Sequence, residues 1–238
     1  MIPKVLHRVW VGEASAYLDR FTDFWEKWKV LHPDWVTITW TDCLDTPDAR
    51  SPEEALPESG PWRRAYEAYD RGVIRADLLR YIVLLRFGGL YVDCDMEPLR
   101  NIEPLLTEDE VILGWVAPLA PENKLTPAAS CIAAVPTSEF IGYVVDEATS
   151  GTLEKHRRGV AASEFNPVFT TGPMMLKRVL RAAPWGVGVW DHSRILVGNA
   201  GSTHRQIGEP QRIRNGSSLR EDLDLSAYYA VHHATAGW

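Results

Sequence analysis

The fold of this 238-residue chain is decided by the stretch Arg86-Phe87-Gly88-Gly89-Leu90-Tyr91-Val92-Asp93-Cys94-Asp95. A helical run precedes this stretch, two glycines end the helix, and an apolar strand follows that closes on two carboxylates. Residues two apart on a strand point to the same side, so Asp93 and Asp95 would repel each other unless a positive group lay between them. Carboxylate oxygens are ligands that hard divalent cations prefer. The pattern predicts a metal site at the end of a strand.

Length and composition favour a single domain over residues 1–238. The chain is 45% hydrophobic, which is enough to build one well-buried core. Its formal net charge is −7 and its basic residues are scattered along the sequence. A nucleic-acid footprint or a polybasic membrane patch would need clustered positive charge. We therefore expect no nucleic-acid partner.

The cysteine spacing and the N-terminal sequence are used to predict the cellular compartment. Cys43, Cys94 and Cys131 lie far apart without C-x-x-C spacing, which is typical of reduced, buried thiols. Met1 is followed almost directly by a strand, and no apolar run has the length of a membrane span. We predict a bacterial protein of the cytoplasm, without a signal peptide or a membrane span.

Hydrophobic periodicity predicts strands that alternate with helices. Strands are expected near residues 4–12, 36–40, 110–115 and 129–135 and after Gly89, and helices near residues 17–31, 63–69, 73–87, 137–148 and 173–183. Such alternation predicts an α/β fold with a mainly parallel central sheet flanked by helices. In such sheets ligands bind beyond the carboxyl ends of the strands, which is where Asp93 and Asp95 fall. Residues 44–61, 119–128 and 153–168 are expected to be loops.

Asp77 and Arg80 form a second candidate pair. Their spacing of three places them on one face of the helix before Gly88. A surface ion pair of little energetic value is the ordinary interpretation. Apolar residues surround most of this helix, however, so the two charges would face a pocket rather than open solvent.

Four further features each have a functional and a structural interpretation. Trp10 could stack on a nucleobase or pack in the core. His232 or His233 could be a third metal ligand or a structural histidine. Thr171 could help to bind an anion or could cap the following helix, and capping is favoured. Trp238 could belong to a flap that closes on substrate.

The Asp93/Asp95 pair also has alternatives. The carboxylates could cap the next turn or pair with Arg100. A phosphatase nucleophile motif would need Thr or Val two residues beyond its second aspartate, where this chain has Glu97. The phosphatase interpretation is therefore disfavoured.

The motifs together resemble a known family. They are Ile2-Pro3-Lys4-x-Leu6-His7-x-x-Trp10-x-Gly12, Ala76-Asp77-x-x-Arg80-Tyr81-x-x-Leu84, Phe87-Gly88-Gly89-x-Tyr91-x-Asp93-x-Asp95, Thr171-Gly172-Pro173 and a terminal His-His-x₄-Trp. This set resembles the DXD-containing sugar-binding glycosyltransferases related to the yeast initiating α-1,6-mannosyltransferase and to capsular-polysaccharide transferases. The catalytic domains of clostridial glucosylating toxins share the central block. The resemblance implies a GT-A fold, a Rossmann-like nucleotide-sugar-binding domain, and Mn²⁺ or Mg²⁺ as cofactor.

The resemblance also implies a role for each matching residue. Asp95 would bind the metal directly, Asp93 would contact both the metal shell and the sugar, and His232 would be the C-terminal ligand, with His233 as its substitute. The implied donor-binding residues are Val9, Trp10, Asp77, Arg80, Tyr91, Asp93 and Trp238, with Trp10 on the base and Trp238 over the diphosphate. The implied catalytic residues are Asp77, Arg80 and Asp93.

The function implied is transfer of a hexose from a UDP- or GDP-sugar, with retention of anomeric configuration. The acceptor stays open among glycans, natural products and proteins. A metal-dependent hydrolase of nucleotide sugars or phosphate esters is the alternative, and it would use the same carboxylates. A binding module that has lost its chemistry is the third hypothesis.

Overall fold

The computed structural model of the protein describes residues 1–12, 19, 21–43, 46–116, 126–182, 187–189, 195–197 and 228–232. The strands are β1 (Val5–Trp10), β2 (Val36–Thr41), β3 (Ala49–Arg50), β4 (Gly89–Val92), β5 (Met96–Pro98), β6 (Val111–Val116), β7 (Thr126–Ala134), β8 (Val187–Val189), β9 (Ile195–Val197) and β10 (Ala230–His232). The helices are α1 (Thr22–Leu31), α2 (Pro52–Ala55), α3 (Pro61–Glu67), α4 (Gly72–Phe87), α5 (Glu139–Arg157), α6 (Pro167–Thr170) and α7 (Pro173–Ala182).

The described strands form a large and a small sheet. The large sheet has the order β3-β2-β1-β4-β7-β6-β8, and the small sheet has the order β5-β10-β9. In the large sheet β1, β2, β3 and β4 are mutually parallel, whereas β7 runs antiparallel to both of its neighbours. The predicted α/β fold with a mainly parallel sheet is confirmed.

Alternating residues of the central strands fill two cores, one on each face of the large sheet. Leu90 and Val92 pack with Trp25 and Trp28 of α1, whereas Tyr91 packs on the opposite side with α4 and α5. Helix α4 is apolar around most of its circumference because it is buried on most sides.

Two glycines allow α4 to turn directly into β4. Gly88 and Gly89 both have positive φ values, 63° and 98°. A Cβ at Gly89 would lie 2.3 Å from the carbonyl oxygen of Val5, so only glycine lets β4 start this close to β1. The predicted helix end at Gly88-Gly89 is confirmed.

The structure differs from the sequence-based prediction at several element boundaries. The expected loop 44–61 contains the short strand β3 and the short helix α2, whose N-terminus is a capping box formed by Ser51 and Glu54. Helix α5 continues to Arg157, beyond the predicted end at residue 148. Strand β4 ends at Val92, so Asp93 and Asp95 lie in the turn that follows and not on a regular strand.

His7 ties three elements together in the buried interior. The indole Nε1 of Trp40 donates to its Nδ1 at 3.0 Å, and its Nε2 lies 2.8 Å from the carbonyl oxygen of Gly88. Because Nδ1 accepts, Nε2 must carry the proton and donate, so the ring is neutral. Burial lowers the pKa of His7 from 6.5 to about 4, although its bond to Gly88 opposes this shift.

We expect His7 to make folding pH-dependent. Its pKa is lower in the folded state, so the unfolded chain takes up the proton first and stability is lost as the pH falls from 6.5 towards 4. The loss from this residue is about 3 kcal/mol between pH 7 and pH 4. Urea unfolding of wild type and His7→Gln at both pH values measures it.

The variant should lose much of the pH dependence while being less stable at pH 7, whereas substitution of the exposed His156 by Gln should leave the pH dependence intact. Buried His32 has a pKa that is also lowered by burial, so some slope should remain in His7→Gln. An unchanged slope in this variant would contradict the assignment.

Candidate functional site

The Asp93–Asp95 turn is held by backbone hydrogen bonds at both of its ends. Asp93 N donates to Ser130 O of β7 at 2.9 Å, and Met96 N donates to Asp93 O at 3.0 Å. The Sγ of Cys94 lies 3.6 Å from the carbonyl oxygen of Val9 near the end of β1. The turn is therefore fixed at the carboxyl ends of β1 and β4, the edge where parallel sheets bind ligands.

His232 reaches the two aspartates through the small sheet. Strand β10 pairs antiparallel with β5, and its register places His232 opposite Met96, the residue after Asp95. The imidazole Nε2 lies 3.0 Å from Asp95 Oδ1 and 3.5 Å from Asp93 Oδ2. One ligand atom from each residue fits within a span of 4.8 Å, so Asp93, Asp95 and His232 form a group that could hold a metal ion.

The charge of this cluster is balanced by His232. Burial acts to lower the pKa of the imidazole, but the carboxylates of Asp95 and Asp93 act more strongly and raise it to about 10. A protonated imidazole thus supplies the positive charge that two adjacent carboxylates require. Asp95 is buried, whereas the side chain of Asp93 is partly exposed and opens the cluster to solvent.

Asp77 and Arg80 form a buried ion pair next to the cluster. Arg80 Nη1 also donates to Ala129 O at 3.0 Å and to Asp93 Oδ1 at 3.3 Å. Burial acts to lower the pKa of Arg80, but Tyr91 and Asp93 raise it above the usual value, so the guanidinium stays charged. The surface ion pair is excluded, because both side chains are buried.

Tyr91 positions Asp93 from the floor of the site. Its hydroxyl donates to Asp93 Oδ1 at 2.7 Å, and its ring lies 5.2 Å from the guanidinium carbon of Arg80. Burial raises the pKa of Tyr91 well above the usual value, so the phenol keeps its proton and acts as a donor. Asp93 therefore connects Tyr91, Arg80 and His232.

Thr171 has a role that the sequence did not indicate. Its hydroxyl donates to Asp77 Oδ2 at 2.6 Å, and its carbonyl oxygen accepts from the Tyr81 hydroxyl at 2.7 Å. Thr171 thus contacts the buried Asp77, and its predicted helix-capping role stays a prediction. The only signal in the sequence was a Thr-Gly-Pro before a helix, and it did not specify a partner 94 positions away.

The remaining predicted residues are placed as follows. Trp10 ends β1 and is 4% exposed, and Val9 beside it is buried. This burial fits the core-packing interpretation of Trp10, and its stacking on a base stays a prediction. His233 and Trp238 lie outside the described residues.

Residues 19–112 match a family model described as a glycosyltransferase sugar-binding region containing a DXD motif. The chain is 25% identical to inositol phosphoceramide mannosyltransferase 3 of Schizosaccharomyces pombe, over 98% of this chain and 60% of that protein. It is 33% identical to a mannosyl phosphorylinositol ceramide synthase of Saccharomyces cerevisiae, over 52% of this chain and 30% of that protein. The resemblance to DXD glycosyltransferases is confirmed. The chain spans little more than half the length of the first of these relatives.

Solved structures provide a comparison for the fold. The PaToxG glycosyltransferase has a TM-score of 0.59 at 21% identity, covering 77% of this chain and 70% of that chain. The UDP-bound glycosyltransferase domain of the YGT toxin has a TM-score of 0.53 at 12% identity, covering 79% of each chain. These likenesses confirm the GT-A fold. The predicted enzyme class, a glycosyltransferase, is also the class that the relatives' names give.

The predicted bacterial origin and cytoplasmic location are wrong. Four of the curated relatives are yeast mannosyltransferases and synthases named for inositol phosphoceramide or mannosyl phosphorylinositol ceramide, which contradicts both expectations. Dispersed cysteines without a metal or redox spacing carry too little information to assign a compartment. Among the helices that the structure describes, none combines the length and apolarity needed to cross a membrane.

We expect Thr171→Val to destabilise the protein by about 1–3 kcal/mol, because it removes a hydrogen bond to the buried carboxylate of Asp77. Urea unfolding at pH 7 measures this loss. Thr152→Val is the matched control, since Thr152 is fully buried and its hydroxyl has no hydrogen-bond partner among the described residues. If both variants change the free energy of unfolding equally, the Thr171–Asp77 hydrogen bond does not contribute measurably to stability.

Proposed function

We propose that this chain, which carries the sugar-binding region of the DXD-containing glycosyltransferases, transfers a hexose from a nucleotide-sugar donor to an acceptor hydroxyl with the help of a divalent cation. The observation that carries the proposal is the juxtaposition of Asp93, Asp95 and His232 with the buried Asp77–Arg80 pair at the carboxyl ends of β1 and β4. The group formed by Asp93, Asp95 and His232 suits a cation, and the Asp77–Arg80 pair can bind sugar hydroxyls. A nucleotide sugar presents both a diphosphate and such hydroxyls.

The donor set fits Mn²⁺ or Mg²⁺. Two carboxylates and one imidazole are a combination that suits Mn²⁺ in particular, and the three ligand atoms already lie close together. We propose that Asp95 and His232 ligate directly and that Asp93 shares the shell. A bound cation would neutralise charge that develops on the diphosphate leaving group. Its binding would release the proton that His232 holds between the carboxylates.

The chain's own residues would position the donor. Asp77 is held by Thr171 and Arg80, so its carboxylate has a fixed orientation in which to accept hydrogen bonds from sugar hydroxyls. Arg80 is fixed by Asp77, Asp93 and Ala129 and would add a positive charge beside the diphosphate. A pre-oriented polar site needs little reorganisation during the reaction, which is the main source of electrostatic catalysis.

We propose that the reaction retains the anomeric configuration. The acceptor oxygen would form its bond to the anomeric carbon on the face from which the diphosphate departs, and the leaving phosphate oxygen would take the acceptor proton. Support comes from the engagement of Asp77 and Asp93, each of which accepts hydrogen bonds from charged or hydroxyl donors and is thereby weakened as a general base.

The proposal extends to the donor pocket, the domain and the substrates. Val9, Trp10, Tyr91 and Trp238 would complete the donor pocket, and residues 1–238 would form one GT-A domain. The names of the curated relatives favour mannose as the transferred hexose. The acceptor would carry a hydroxyl group, on a glycan, a natural product or a protein.

Asp95→Asn should reduce metal-dependent turnover by at least about 100-fold, because the Lewis-acid contribution is worth several kcal/mol. Mn²⁺ titration followed by electron paramagnetic resonance should show weaker binding. Circular dichroism should show that the variant is folded, although loss of the Asp95–His232 pair lowers its urea midpoint. Asp34→Asn, at an exposed carboxylate, is the control and should behave as wild type. Near-native Mn²⁺ binding and turnover in Asp95→Asn would rule out the metal assignment.

A panel of UDP- and GDP-sugars, including GDP-mannose, identifies the donor. With Mn²⁺ and no acceptor, we expect slow release of one nucleoside diphosphate, and EDTA should abolish this release. An acceptor hydroxyl should raise the rate and give a product of retained configuration by NMR. A rate that no acceptor raises would favour the hydrolase. If no sugar nucleotide is consumed or shifts the melting temperature, the transferase proposal fails.

A further inference from the structure

A cavity of about 620 Å³ that is largely open to solvent is lined by residues outside the Asp93–Asp95–His232 cluster. Its lining residues come from α3, from the end of α4, from the turn before α5 and from the first half of α5, and they include Trp62, Thr137, Glu139, Gly142, Tyr143 and Asp146. Its volume is in the range of ordinary small-molecule sites. The cavity lies beside the start of β4, where Gly88 approaches Pro136, whereas Asp93 follows the end of that strand.

The walls of this cavity combine aromatic rings with carboxylates. Trp62 and Tyr143 contribute rings, and Tyr143 is 55% exposed. The indole Nε1 of Trp62 donates to Asp146 Oδ1 at 3.3 Å, which links α3 to α5 and orients the ring. Glu139 and Arg86 add a further carboxylate and a guanidinium at the rim. Rings that can pack on C–H faces, next to groups that can bind hydroxyls, are what a neutral sugar requires.

Gly142 is a lining residue whose lack of a side chain is not explained by helix packing. It lies within α5, where its N–H donates to Ser138 O at 2.9 Å, and alanine is the better helix former. Within the part of the chain that the structure describes, a Cβ at Gly142 would meet no atom nearer than Leu85 Cδ1 at 4.0 Å, so packing there does not require glycine. At Gly151, in the same helix, a Cβ would lie 3.1 Å from Thr170 Cγ2. Close packing explains Gly151, whereas Gly142 lines the cavity and has room for a methyl group.

Thr137 at the edge of the cavity has an unusual backbone. Its φ is 59°, a left-handed conformation that a β-branched residue rarely adopts. The conformation is held by a bond from Thr137 N to Leu85 O at 2.7 Å. Strain of this kind collects at ligand-binding positions.

We propose that this cavity is a second binding site, specific for a short neutral oligosaccharide and separate from the donor site. A pyranose would pack against Trp62 and Tyr143 over the surface that Gly142 leaves free, and Asp146 and Glu139 would accept hydrogen bonds from its hydroxyls. This site does not depend on the proposed transferase function, because none of its residues belongs to the Asp93–Asp95–His232 cluster.

Isothermal titration of the full chain with mannotriose, cellotriose and maltotriose tests the proposal. We expect at least one trisaccharide to bind saturably to wild type and to Asp95→Asn alike. Gly142→Ala should weaken this binding by about tenfold or more, equivalent to about 1.4 kcal/mol. Its melting temperature should equal or exceed that of wild type, because alanine favours the helix. Trp62→Phe, which keeps a ring but removes the bond to Asp146, should weaken binding less than Gly142→Ala.

Three outcomes would overturn the proposal. The first is that none of the trisaccharides binds. The second is that binding is lost in Asp95→Asn and kept in Gly142→Ala, which would place the sugar in the donor site. The third is a concentration-dependent dimer that Gly142→Ala dissociates, which would make the cavity an interface between two copies of the chain. Sedimentation of wild type and Gly142→Ala distinguishes this third outcome.

Discussion

The buried guanidinium of Arg80 is the constraint on which the rest of the site depends. An unpaired charge in the interior would cost several kcal/mol, so its partners must be in place whenever the chain is folded. Those partners come from three elements: Asp77 from the same helix, Asp93 from the turn after β4 and the Ala129 carbonyl from β7. Satisfying this one cation fixes the position of α4 relative to the edge of the sheet.

The neighbouring cluster of Asp93, Asp95 and His232 depends on a second balance of charges. Asp93 and Asp95 are brought together by a backbone turn, and the imidazole of His232 supplies the compensating charge. Asp93 belongs to both groups, since it also accepts from Arg80 and Tyr91. A cation at this cluster and a sugar at Asp77 would therefore both change the interactions of the Asp93 carboxylate. The proposed binding of a diphosphate and the proposed binding of a sugar would then be coupled through Asp93.

Glycines shape the two regions for which we propose binding sites, and they do so in opposite ways. Gly89 permits a close backbone approach, because any side chain there would collide with Val5. Gly142 is loosely packed, since the nearest described atom to an added Cβ would be Leu85 Cδ1 at 4.0 Å. The first glycine brings β4 beside β1 and so aligns the Asp93–Asp95 turn with the end of β1. The second leaves an open surface between Trp62 and Tyr143, at the opposite end of the same strand.

Local patterns in the sequence were sufficient for α4, for the glycine break and for the carboxylate pair that follows, because each depends on neighbours within a few residues. The resemblance to DXD glycosyltransferases rested on the same residues. The short elements within residues 44–61 were missed because their signals span only a few residues. The partner of Asp77 was missed because Thr171 reaches it through tertiary packing. The approach of His232 to Asp95 was likewise decided by the pairing of β10 with β5, since a contact between distant segments depends on a register that no local pattern encodes.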